Sequence, residues 1–161
     1  MNKKVIIIAL AAIVAVLAII LVVTSGSGET NKATLTVQEL YNKISEVTEL
    51  PEDMVARSSE DLDMRYGIDT SKATDYIFMA NATSYYVDTI AIFKVENKDD
   101  RENIKVQLQS IKKQAEDSMN NYDPEQYKIA TDGEVITTGN YVCLFMTKDV
   151  SKVKSTFNEN I

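Results

Sequence analysis

The chain has no histidine and no tryptophan, and only one cysteine, two prolines and five glycines among its 161 residues. Each shortage removes a class of chemistry. Without histidine there is no side chain that titrates near neutrality by default and no imidazole metal ligand. A single cysteine, Cys143, excludes an internal disulfide, and no histidine is present to activate it as a nucleophile. It sits in the apolar run Tyr141 to Met146, where a free cysteine acts as a small buried hydrophobe. Five glycines leave no loop to cradle a phosphate, and no serine occupies a Gly-x-Ser-x-Gly elbow. The sequence offers no cofactor motif and no set of metal ligands.

Basic residues are also in short supply. Lysine and arginine number 17 against 24 aspartates and glutamates. Two of the lysines, Lys3 and Lys4, stand at the extreme N-terminus, so the remainder carries a charge of about −9. A nucleic-acid partner calls for a basic stripe, and docking on anionic headgroups calls for a basic cluster; neither is present. The acidic surface suits solvation, or attraction of cations and basic partners.

What the chain does have is an unbroken apolar run from Val5 to Val23. At about 1.5 Å per residue it spans roughly 28 Å as a helix, close to the hydrocarbon thickness of a bilayer. Lys3 and Lys4 precede it and the next basic residue is Lys32. This asymmetry predicts a cytoplasmic N-terminus and an extracellular C-terminal domain, anchored by a single pass through the cell membrane. The competing reading is a cleaved secretory signal: the run is long for one, but Gly26-Ser27-Gly28 would accept cleavage. The expected division is an anchor over residues 1–24, a small polar linker over 25–35, and one domain over 36–161.

Thr36 and Glu39 form a capping-box pattern, followed by Val37, Leu40, Tyr41, Ile44 and Val47 along one helical face, with Pro51 as a stop. A short helix over Ser59 to Tyr66 is expected, capped by Ser58 or Ser59 and closed by Gly67. Asp75 to Ala80 and Thr89 to Val95 read as strands around a loop at Asn81 to Tyr86. A long helix then begins at Asp99 and Asp100 and buries Ile104, Leu108, Ile111, Ala115 and Met119. Asn120 to Pro124 stops it. Strands are expected at Tyr127 to Thr137 and Tyr141 to Thr147, and a last helix from Asp149 is expected to bury Val150, Val153, Phe157 and Ile161.

The two halves share a plan, strand-strand-helix. The fold class is therefore α+β: a four-stranded, mainly antiparallel sheet from two such units, plus N-terminal helices and a separate transmembrane helix. Thr89 to Val95 and Tyr141 to Met146 are apolar on both faces and belong at the centre. The helices following the hairpins should cover one face, and the N-terminal helices or a partner the other.

Candidate chemistry is sparse. Asp61 with Asp63, or Asp99 with Asp100 and Glu102, supplies neighbouring carboxylates, but neither group has the alternation of an EF-hand loop. Asp99 and Asp100 are the charges expected at a helix start. No residue is assigned a catalytic or metal-binding role. Tyrosine is the richer signal, with eight in the chain. Tyr85 and Tyr86 fall in the hairpin loop, and Tyr122 and Tyr127 flank Asp123 to Gln126, where amphipathic rings suit a binding rim or simply cover the sheet edge. Asn81-Ala82-Thr83 fits a glycosylation sequon by chance.

Tyr66-Gly67-Ile68-Asp69, Asp88 to Lys94, Pro124-Glu125-Gln126-Tyr127 and Gly139-Asn140-Tyr141-Val142 follow one another in an order that resembles the bacterial domain of unknown function 4358. The resemblance covers about residues 36 to 160. It implies an exported protein of a Gram-positive bacterium; relatives are often lipoproteins, whereas this chain lacks the lipid-bearing cysteine. It carries over no catalytic residues. Asp69, Lys94 and Tyr127 are the polar motif members without an obvious structural task, and with Tyr85 and Tyr86 they are the candidate binding residues. The expectation is a non-enzymatic binding module for an envelope protein or cell-wall component, tethered through Val5 to Val23. The alternative is a carboxylate-dependent enzyme acting on cell-wall or peptide substrates. A third is a structural subunit presenting an apolar sheet face.

Overall fold

Thr36 starts the first helix, α1 (Val37–Ser45): its hydroxyl accepts from the Glu39 amide, and Glu39 accepts in return from the Thr36 backbone. The computed structural model describes residues 35–161; the expected anchor and the linker up to residue 34 lie outside them. Among the described residues no helix is long and apolar enough to cross a membrane.

A three-residue strand, β1 (Met54–Ala56), follows Pro51. Helix α2 (Ser59–Tyr66) is capped by Ser58 and ends at Gly67, whose φ of 66° is the left-handed conformation glycine adopts without penalty. Strands β2 (Asp75–Asn81) and β3 (Thr89–Lys94) form a hairpin. The long helix α3 (Lys98–Met119) starts one residue earlier than the charges suggest. Its cap is Asn97, whose side-chain oxygen accepts from the amides of Asp99 and Asp100, and those two aspartates fill the first turn.

The expected strand at Tyr127 to Thr137 is instead a helix and a shorter strand, α4 (Pro124–Asp132) and β4 (Glu134–Thr138). Local capping overrides the strand-like composition. Asp123 accepts from the amides of Glu125 and Gln126, Pro124 occupies the first helical turn, and Ile129 and Ala130 turn inward. Gly133 separates the two elements because a Cβ there would lie 3.0 Å from Met146 Cγ and 3.2 Å from the Ala130 carbonyl. Strand β5 (Tyr141–Met146) and helix α5 (Val150–Asn160) follow; Val150, Val153 and Phe157 are buried as expected, but Ile161 lies past the last helical turn and is exposed.

The sheet has five strands, not four, in the order β1-β2-β3-β5-β4, with every neighbouring pair antiparallel. The extra member, β1, is too short and too exposed to leave a periodic pattern. β3 and β5 are central, as their two-sided apolarity requires. One face carries Phe78, Ala91, Phe93, Val142 and Leu144 beneath Leu62 of α2, Ile104 and Leu108 of α3, and Ile129 of α4. The other carries Ile77, Ile90, Ile92, Cys143 and Phe145 beneath Leu40 and Ile44 of α1 and Val153 and Phe157 of α5.

The two helices that follow hairpins therefore lie on opposite faces, not on one. The pleat at each strand exit explains this. Val95, leaving β3, is in phase with Phe93 and packs on the α3 face. Thr147, leaving β5, is in phase with Phe145, which packs on the α1 and α5 face.

Candidate functional site

Loop 82–88, between β2 and β3, separates two clefts. The larger, an open groove of about 810 Å³, runs between that loop and the C-terminal half of α3. Tyr66, Tyr85, Tyr86 and Tyr122 line it, and Tyr85 and Tyr122 are 66% and 65% exposed. At its base Arg57 donates from Nη2 to the Asn81 carbonyl at 2.6 Å. Arg57 Nε and Asn81 Nδ2 are both buried without an acceptor among the protein's own groups. The Asn81 amide orientation is fixed: its Oδ1 accepts from both the amide and the hydroxyl of Thr83. Asn81 is buried, so the sequon there presents no accessible acceptor.

The second cleft, of about 580 Å³, lies on the other side of the loop, against the segment after α1 and the start of α4. It shares Asn81, Tyr86 and Asp88 with the first. Asp88 is its most buried carboxylate, in a residue only 3% exposed. Burial pushes its pKa up to about 6, only partly offset by its own backbone amide and by Lys148, with Glu125 adding to the rise. Lys148 reaches Glu125 at 3.0 Å. Gln126, also buried, spends its side-chain oxygen on the Val87 amide at 2.9 Å and so fixes the end of the loop to α4.

The five candidate residues do not converge. Tyr85 and Tyr86 stand on the larger cleft, and Tyr86 on both. Asp69 caps the turn Thr70–Lys72, accepting from the hydroxyl and amide of Ser71, and these bonds hold its carboxyl below the usual range. Lys94 ends β3 with its ammonium 5.8 Å from the centre of the Tyr141 ring, a cation–π contact. Tyr127 lies on α4, 37% exposed, and lines neither cleft. The residues that reading by type missed are Arg57, Asn81, Asp88 and Gln126. Asn81 stood out only through the sequon, Asp88 and Gln126 only as members of the family motifs, and Arg57 not at all.

Cys143 is fully buried in the sheet and burial pushes its thiol well up, which leaves it inert. Among the described residues, no three His, Cys, Asp or Glu side chains are placed to hold a metal ion. The geometry is an open tyrosine-lined groove beside an acid-rich cleft that holds one buried carboxylate.

The chain matches the domain of unknown function DUF4358 over residues 46–147. It belongs to the DUF4358 family. No curated protein and no solved structure matches it significantly. The DUF4358 segment contains all five strands and the helices of one face, together with both clefts apart from Lys148. α1 and α5, which cover the second face, fall outside it.

Proposed function

We propose that this DUF4358 protein is a membrane-anchored, extracytoplasmic binding module of a Gram-positive cell envelope, without an enzymatic reaction of its own. The tyrosine-lined cleft carries the reading: four rings around an open groove supply large amphipathic contact area, with two of them mostly exposed. The apolar run Val5 to Val23 and its lysine flank support the placement. The partner is an envelope protein or cell-wall component. A purely structural subunit would present a bare apolar sheet face, whereas here both faces are covered.

The alternative, a carboxylate-dependent enzyme, draws support from Asp88, a buried acid whose proton is held to about pH 6. Against it, Glu125 on the same cleft is occupied by Lys148.

The test is crosslinking and recovery of the full-length protein from its own membranes, beside a Tyr85→Ala/Tyr122→Ala variant. A reproducible partner should be recovered with the native chain and largely lost with the variant. Failure to recover any partner, or recovery indifferent to both rings, removes the binding reading. Hydrolysis of a cell-wall or peptide substrate that is abolished in Asp88→Asn would favour the enzyme.

A further inference from the structure

Six carboxylates line the smaller cleft, those of Glu49, Glu52, Asp53, Asp88, Asp123 and Glu125, against the single ammonium of Lys148. Two of the six are committed: Asp123 caps α4, and Glu125 is bound by Lys148. Those two acids also offset the positive end of α4, so that helix terminus does not repel a cation. The side chains of Glu49, Glu52, Asp53 and Asp88 form no ion pair and accept no hydrogen bond from another residue among the described residues.

An acidic surface cluster alone would say nothing. Asp88 is different, because it belongs to a residue that is only 3% exposed and yet faces this cleft. A buried carboxylate is costly to keep charged, and Lys148, paired with Glu125, offsets that cost only in part. A second positive group entering the cleft would complete the balance.

We propose that the cleft binds an alkylammonium group, the shared chemistry of a free polyamine and of a lysine side chain, with Asp88 as its innermost counter-ion. The form of the cleft selects this chemistry over a metal ion. Chelation needs several oxygens around one point, and no three acids of the described residues are so placed. Carboxylates spread over about 580 Å³ match charge distributed along a flexible chain. Leu50 and Pro51 give the wall an apolar stretch for methylenes, and the half-exposed ring of Tyr86 offers a face to an ammonium. The proposal does not depend on the tyrosine cleft being a partner surface.

Titration calorimetry of the full-length protein in neutral detergent tests it, with spermidine, an end-blocked Ala-Lys-Ala peptide and magnesium chloride as probes at constant ionic strength. Spermidine or the peptide should bind saturably at one site, and whichever binds more tightly identifies the source of the ammonium. Asp88→Asn should weaken that binding about tenfold or more, the order of a charge-assisted hydrogen bond, and Asp53→Asn should weaken it less. Asp117→Asn removes the same charge from an exposed position on α3 and should leave it unchanged. Thermal unfolding confirms that each variant is folded. The proposal fails if neither ammonium probe binds, if magnesium binds as well as they do, or if Asp117→Asn is as damaging as Asp88→Asn.

Discussion

The hydroxyls of Thr48 and Thr147 lie 3.0 Å apart, both residues buried, across 99 positions of sequence. They join the segment leaving α1 to the exit of β5. Their immediate neighbours, Glu49 and Lys148, stand on opposite sides of the acid-rich cleft's sequence and both line it. A single buried hydrogen bond thus fixes two of its walls.

Thr147→Val should destabilise the fold by about 1–2 kcal/mol, since it leaves the Thr48 hydroxyl buried without its partner. Thr48→Val/Thr147→Val should recover much of that loss, because no orphan remains. A double-mutant cycle by urea unfolding measures the coupling. Strictly additive single effects would show that the pair is not an energetic unit.

Asp88 should make stability depend on pH in a defined direction. Its folded pKa of about 6 lies above the ordinary 3.8, so the folded chain holds the proton more tightly than the unfolded chain. Its contribution is then most favourable below about pH 4 and declines as pH rises through about 6. Asp88→Asn should remove this slope and be more stable than the native chain at pH 7 by about 1–2 kcal/mol, a figure discounted for the cleft's solvent. The two should converge near pH 4. Ammonium binding should run the opposite way and strengthen as pH rises through about 6. Lys148 and the cleft acids Glu49, Glu52, Asp53, Asp123 and Glu125 surround the group, so both measurements belong at constant ionic strength.

Phe157→Ala should cost about 3–5 kcal/mol in chemical denaturation. The ring is fully buried and meets Tyr141 and Phe145 edge to face, at 5.6 and 5.5 Å. A cost under about 1 kcal/mol would mean that α5 contributes little to covering the second face.

Asp123→Ala should cost about 1 kcal/mol through loss of the α4 cap. Hydrogen exchange should quicken selectively at the amides of Glu125 and Gln126, which Asp123 now holds. Unchanged exchange at those two amides would contradict the capped helix.

Where local chemistry is strong, the sequence is a sufficient guide. Thr36 with Glu39, Ser58 with Gly67, and the stripe of Ile104, Leu108 and Ile111 mark helices through contacts made within a few residues. The two-sided apolarity of β3 and β5 put them at the centre of the sheet, since each face must find a cover. The same local chemistry explains the error at Tyr127: the Asp123-Pro124 start is a stronger signal than the strand-like residues after it.

The acidic balance, the absence of histidine and the family resemblance were thus set by composition and residue order alone. Tertiary structure decided which face each helix covers, because a pleat phase of one residue at Val95 and Thr147 redirects everything downstream. It also decided that Asn81, Asp88 and Gln126 lie buried beside one another's elements, while Asp69 and Lys94 are absorbed into a turn and a ring contact. Burial and counter-charge are properties of neighbours far apart in sequence. An aspartate therefore reads the same along the chain whether it caps a turn at position 69 or lies buried in a cleft at position 88.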